Sequence, residues 1–201
     1  MTKQRKSSSG GLMSMFSRSA AELSLGKSGG GTKALAVTGM LIAVYVLLEV
    51  FAPINTEWLK LNFGFLPLAL IGALYGPVVG AVAAIPCDIL GALFKGTGVN
   101  FAFTPIAMFE GLVYGLLLYG RFSRRELALR GAFAQAIVVI ISHMIFNTTA
   151  IYFFYYFGTE KTFWSLFAAR AIKNAIELPL DILLLTAVVL PLKDFYFNRL
   201  N

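Results

Sequence analysis

Cysteine and histidine are nearly absent: Cys87 and His143 are the only ones in 201 residues. A single cysteine excludes an intrachain disulfide and a cysteine-based zinc cluster. A single histidine excludes a His-x-x-x-His metal site. Charge is scarce as well. Charged residues make up 13% of the chain, against about a quarter in an ordinary soluble domain. With 58% hydrophobic residues and a mean hydropathy of +0.75, a soluble fold is excluded. Acidic residues number 10 against 17 Lys and Arg, giving a net charge of +7 and a pI near 9.6. In a soluble protein that excess would suggest nucleic acid. Here the basic residues sit between long apolar runs, so they mark membrane topology, and no nucleic acid partner is expected.

Catalytic and nucleotide motifs are missing too. Gly26-Lys27-Ser28 looks like the end of a P-loop, but Ala21 stands where that loop needs glycine, and no strand precedes it. This chain is therefore not expected to bind ATP. Gly96-Thr-Gly98 is too short for a dinucleotide fingerprint. No Gly-x-Ser-x-Gly elbow occurs, and no acid pair has a recognisable nucleophile. Neither an enzyme nor a resident cofactor or metal is expected. No apolar core follows the basic residues of segment 1–33, so it is not read as a secretory signal.

What the chain has is apolar spans. The pattern predicts an all-α integral membrane protein with six transmembrane helices, at 34–52, 62–75, 77–94, 103–119, 131–154 and 165–192. Gly76-Pro77 reads as a tight turn between the second and third. Residues 1–33, rich in Ser, Gly and Lys, read as a flexible basic tail, and 34–201 as the membrane domain. A weak amphipathic helix on the inner membrane surface is the alternative for Leu12–Leu25. No internal repeat is visible, which argues against an inverted-repeat carrier.

Lys3, Arg5, Lys6, Arg18, Lys27 and Lys33 lie in the tail. Arg121, Arg124, Arg125 and Arg130 follow span four, and Lys193 and Arg199 lie near the C-terminus. An even number of spans puts all of these on one side, which the positive-inside rule makes cytoplasmic. Both termini are then cytoplasmic.

The polar residues inside these spans carry the functional signal. A charge at the bilayer centre costs roughly 2.5–3.5 kcal/mol on insertion scales, so it usually faces a cavity. Arg170, Asn174, Glu177 and Asp181 fall on one helical face, with Lys173 beside them. Arg170 and Lys173 have no adjacent acid in the sequence. In the inferred topology Asn147, Thr148, Arg170, Lys173, Asn174, Phe103 and Thr104 share an outward-facing layer beneath aromatic loops that hold Trp58, Phe63 and Phe101. Fixed cations and aromatic faces suit a flat ring carrying carboxylates. An ion-pair network that only holds helices together is the alternative for Glu177 and Asp181. An interfacial belt is the alternative for Tyr155, Tyr156, Phe163 and Trp164. Asp88 and Glu110 read as hydrogen-bonding acids between packed helices, and His143 as a helix–helix contact. Gly39-Met-Leu-Ile-Ala43 is a small-xxx-small stripe, fit for internal packing or for docking a second membrane protein.

The order and spacing of several motifs resemble the S components of energy-coupling factor vitamin transporters. They are the Gly39/Ala43 pair, Leu61-Asn-Phe-Gly-Phe-Leu-Pro67, Tyr75-Gly-Pro77, Cys87-Asp-Ile-Leu-Gly91, Phe103-Thr104, Gly111-Leu-Val-Tyr-Gly115, Phe146-Asn-Thr148 and Arg170-x-x-Lys-Asn174 with Pro179. The set is most similar to the folate-specific branch and spans Ala34 to about Leu192. The chain departs from that branch at Asn100-Phe-Ala-Phe-Thr-Pro105, where the branch has Tyr-Phe-Pro-Gly-Phe-Thr, so pantothenate or another vitamin stays open.

The resemblance implies a six-helix vitamin-binding subunit in the plasma membrane of a prokaryote. It would work with a transmembrane coupling protein and two ATP-binding-cassette ATPases, which would hold ATP and Mg, and it would topple in the membrane to carry the vitamin across. Arg170, Lys173 and Asn147 would hold the ligand, and Gly39 and Ala43 would face the coupling protein. A self-sufficient ion-coupled carrier using Asp88, Glu110 or Asp181 is the competing class. An intramembrane enzyme is the weakest.

Overall fold

The computed structural model describes residues 9–23, 30–51, 54–55, 60–120, 122–158 and 162–199. Six helices follow in chain order: α1 (Ser9–Leu23), α2 (Gly30–Phe51), α3 (Phe65–Lys95), α4 (Thr104–Leu118), α5 (Arg124–Tyr156) and α6 (Phe163–Arg199). One departure from an all-helical chain is a small antiparallel ribbon between α2 and α3. There β1 (Ile54–Asn55) pairs with β2 (Lys60–Leu61), Ile54 opposite Leu61 and Asn55 opposite Lys60. Among the described residues α2, α3, α5 and α6 are long and apolar enough to cross a membrane, and α4 is a shorter apolar helix.

Helix α3 is not one rod. Gly76 has φ 87° and ψ −175°, a left-handed conformation open to glycine and costly for residues with a Cβ. Pro77 follows it, with a fixed φ suited to starting a new helix. The Cα of Gly72 lies 3.2 Å from where a Cβ on Gly80 would sit. Eight residues along a straight helix would separate the two glycines by about 12 Å. The chain therefore reverses at Gly76, and α3 is a helical hairpin with arms 65–75 and 77–95, as the Gly76-Pro77 turn predicts.

Helix α4 packs into this hairpin through backbone. A Cβ on Gly72 would lie 2.7 Å from the Gly115 nitrogen, and one on Gly80 2.5 Å from the Gly111 carbonyl oxygen. Only glycine permits so close an approach. The hairpin is the buried centre of the molecule: 83% of its most apolar stretch is buried, against 17–22% in α2, α5 and α6. These outer helices expose Leu35, Met40, Leu47, Ile140, Ile172, Ile176 and Leu183. A bundle that turns large apolar side chains outward is built for a hydrocarbon solvent.

Part of the segment read as a tail is helical, α1 at Ser9–Leu23. Ser19 of α1 is fully buried against the hairpin turn. Its hydroxyl donates to the Tyr75 carbonyl oxygen (2.8 Å) and accepts from the Val78 and Val79 N–H groups (3.1 and 3.3 Å). One side chain thus satisfies groups that both arms leave open at their ends. The expected flexible linker Gly29-Gly-Gly31 also partly belongs to a helix, since α2 begins at Gly30.

Helix α5 starts at a capping box in which Ser123 and Glu126 bond each other's backbone N–H. That is seven residues before the apolar run predicts, because the cap, not hydropathy, sets the start. Over Val138–Asn147 and Tyr152–Tyr156 its turns widen to π-helix. Such bulges are frequent at functional sites.

Candidate ligand-binding site

One cavity of about 220 Å³ lies between α2, α4, α5, α6 and the first arm of α3. Helix α6 supplies Arg170, Lys173, Asn174, Glu177 and Asp181 to its wall, the face that the helical spacing predicts. Helix α5 supplies Gln135, Val139, His143 and Asn147, each four residues after the last. In an ordinary α-helix such a series drifts round the axis. The wider turns over Val138–Asn147 reduce that drift and hold Val139, His143 and Asn147 toward one cavity. The Thr148 hydroxyl supports this segment by donating to the His143 carbonyl oxygen (3.0 Å).

The carboxylates around the cavity have partners. Glu110 accepts from the Ser142 hydroxyl and lies 3.3 Å from His143 Nε2. His143 thereby joins α5 to α4, the helix–helix contact expected of it. Asp181 accepts from Gln135 Nε2 (3.1 Å), and Gln135 Oε1 accepts from the Tyr114 hydroxyl (2.7 Å). Lys173 Nζ lies 3.4 Å from Glu177 Oε1. This corrects the reading of Lys173 as lacking an acid: one helical turn brings residues i and i+4 together.

The donors are different. Among the described residues, Arg170 Nε and the Asn174 side-chain nitrogen are buried with no hydrogen-bond partner. A buried donor left unmade costs about 1–3 kcal/mol, so an acceptor placed against these two would be stabilising. The wall can therefore grip a carboxylate or carbonyl at Arg170 and Asn174, with Lys173 and Asn147 beside them. Fixed donors in a concave wall are what a small-molecule site uses for orientation.

Other predicted residues are placed elsewhere. Phe103 lines a second, neighbouring cavity of about 190 Å³. Thr104 is buried, and its hydroxyl donates to Asp88 Oδ2 (2.7 Å); it lines neither cavity. Phe101 is 71% exposed on the loop before α4 and lines neither. Phe63 is half-buried against the apolar core and likewise lines neither. These three differ from the expected pocket position because depth in the membrane orders residues along its normal but not around it. Trp58 lies outside the described residues. Gly39 and Ala43 are exposed on α2, and a Cβ on Gly39 would meet nothing within 4 Å.

Sequence reasoning missed Tyr45, Asn62, Phe65 and Gln135, all on the main cavity wall. Gln135 carried a signal, as an amide inside an apolar run. Tyr45 carried little, since a tyrosine in a membrane helix serves as well in an interfacial belt.

The family model described as "ECF transporter, substrate-specific component" matches residues 33–189. Over 141 residues the chain is 26% identical to Folate transporter FolT of Clostridium novyi (strain NT), covering 70% of this chain and 78% of the relative. Over 161 residues it is 29% identical to Folate transporter FolT of Streptococcus mutans serotype c, covering 77% and 84%. A crystal structure of FolT bound with folic acid matches with a TM-score of 0.69 and 28% identity, over 81% of this chain and 98% of that one. With most of its length under the family model, and with a buried polar cavity inside a helical membrane fold, this chain belongs to the family of substrate-specific components of ECF transporters.

Proposed function

We propose that the chain is the folate-binding membrane subunit of an ATP-driven importer. The observation that carries this reading is the match to the folic-acid-bound FolT chain over 81% of the present one. The unpartnered donors of Arg170 and Asn174 support it, because folate ends in a glutamate with two carboxylates. Counting the two arms of α3 separately, the chain makes six traverses, and both termini lie in the cytoplasm with the basic loop after α4. Energy comes from elsewhere: a transmembrane coupling protein and two ABC ATPases in the plasma membrane of a prokaryote.

A thermal-shift series on the purified chain tests the ligand. A molecule that binds only the folded state at a hundred times its Kd stabilises by about 2.7 kcal/mol. Folate is expected to raise the unfolding temperature. A rise with pantothenate and none with folate would reassign the site to another vitamin, as the departure at Asn100–Pro105 leaves possible. The same preparation should hydrolyse no ATP. Uptake by the chain alone under an imposed proton or sodium gradient would replace the subunit reading with an ion-coupled carrier.

Gly39 and Ala43 form the proposed contact with the coupling protein. Their exposure on α2 supports this, because small residues let a second helix approach closely. Leucine at either position should leave folate affinity unchanged and lower transport by the assembled complex. Wild-type transport by both variants would remove this face from the docking surface.

A further inference from the structure

The family model begins at residue 33, so α1 lies before the matched region. It nonetheless packs against α3 and α2. Met15 and Ser19, one turn apart, form its docking edge: Met15 is half-buried and Ser19 fully buried. The approach is close to backbone. A Cβ on Gly76 would lie 2.9 Å from both the Cβ and the Oγ of Ser19. The Ser19 hydroxyl is bonded to Tyr75, Val78 and Val79 across the hairpin turn.

The rest of the helix is divided by polarity. At about 100° per residue, Leu12, Met13 and Phe16 share one sector, next to the docking edge. Ser14, Ser17 and Arg18 share the opposite one. Leu12, Met13 and Phe16 are 54%, 79% and 38% exposed, a cluster that water penalises. Position points to what covers it. In the six-traverse reading, the turn shared by the two α3 arms lies at a membrane surface, and α1 sits against that turn. Charge points the same way. Through residue 33, Lys3, Arg5, Lys6, Arg18, Lys27 and Lys33 stand against one acid, Glu22. An apolar face flanked by cations suits a leaflet with anionic headgroups.

We propose that α1 is an interfacial helix with two attachments. Leu12, Met13 and Phe16 enter the lipid leaflet at the α3 turn, where the neighbouring cations meet anionic headgroups. Ser19 latches the same helix to the bundle. In the orientation proposed above, this is the cytoplasmic leaflet. The latch positions the helix, and the lipid covers the face that the bundle leaves open.

The test places an environment-sensitive fluorophore on the full chain through Met13→Cys or Ser17→Cys. Cys87 is 1% exposed, and wild type taken through the same labelling is the blank. Each protein is first shown to be folded by its melting temperature. The proteins are held in nanodiscs of phosphatidylcholine alone, or of phosphatidylcholine and phosphatidylglycerol in equal parts. In the mixed lipid, the label at position 13 should be quenched by nitroxides on the acyl chains and shielded from acrylamide. The label at position 17 should behave in the opposite way. Equal acrylamide quenching at the two positions overturns the lipid face. Shielding of position 13 from both quenchers overturns it too, assigning that face to the bundle itself. Adding Ser19→Ala removes the latch and leaves the Val78 and Val79 N–H groups to water. Position 13 should then keep its shielding from acrylamide in the mixed lipid and lose it in phosphatidylcholine alone. Loss in both lipids overturns the anionic surface as a seat for α1. Retention in both overturns Ser19 as the latch.

Discussion

Replacing Arg170 with alanine is expected to weaken folate binding about 10- to 150-fold. The expected size follows from a charge-assisted hydrogen bond in a partly dry site, about 1.5–3 kcal/mol, at 1.4 kcal/mol per tenfold. Arg170 Nε is buried with no hydrogen-bond partner among the described residues, and this expectation rests on that open donor. The guanidinium fork can also meet a carboxylate with two parallel bonds. Arg170→Lys should recover only part of the loss, because an ammonium is a point charge without that fork. Lys173→Ala should cost less than Arg170→Ala. Lys173 already lies 3.4 Å from Glu177, and part of its charge is spent there. Calorimetric affinity and folded yield, measured on the same preparations, separate clamp from scaffold. Normal affinity for folate in well-folded Arg170→Ala protein would remove this residue from the site.

Gly115→Ala should destabilise the protein strongly. The new Cβ would lie 2.5 Å from the Pro77 nitrogen and 2.6 Å from the Gly76 carbonyl carbon. These are backbone atoms at a turn, so no rotamer change relieves the clash. Overpacking of this kind costs about 1–3 kcal/mol and occasionally more. Gly39→Ala is the matched control. The same methyl there meets nothing within 4 Å, and alanine favours a helix over glycine by about 1 kcal/mol. Its melting temperature should therefore hold or rise while that of Gly115→Ala falls. Equal melting temperatures for the two variants would mean that α4 does not rest on the hairpin turn through Gly115.

One feature of the site and one of the fold were legible in one dimension. Helical spacing alone puts Arg170, Asn174, Glu177 and Asp181 on one face, and all four line the main cavity. Hydropathy requires that such a face turn inward, because lipid cannot solvate it. The reversal at Gly76 was legible for a similar reason: only a glycine can take φ 87° cheaply, and the proline after it starts a new helix. The pairing of Lys173 with Glu177 lay within reach, since i and i+4 are neighbours on any helix, but it competes with a ligand for the same ammonium.

The sequence by itself determined a membrane protein, the apolar helices, the sharp turn, the polar face of α6 and the motif order that the family shares. Each is local: it depends on periodicity along one segment or on the conformational preference of one or two residues. The tertiary structure alone decided which helices meet around the cavity. Tyr45, Gln135 and Glu110 come from three helices far apart in the chain, and their convergence depends on how each helix is rotated about its axis. Backbone contact at Gly72, Gly80, Gly111 and Gly115, together with the wide turns of α5, sets that rotation. The same is true of Ser19, whose hydroxyl serves both arms of the hairpin from a segment whose composition reads as a loose tail. It is true also of Glu49, an acid in an apolar helix that meets Lys95 from the far end of the hairpin. Partners across helices are fixed by packing in three dimensions, and no spacing along one helix encodes them.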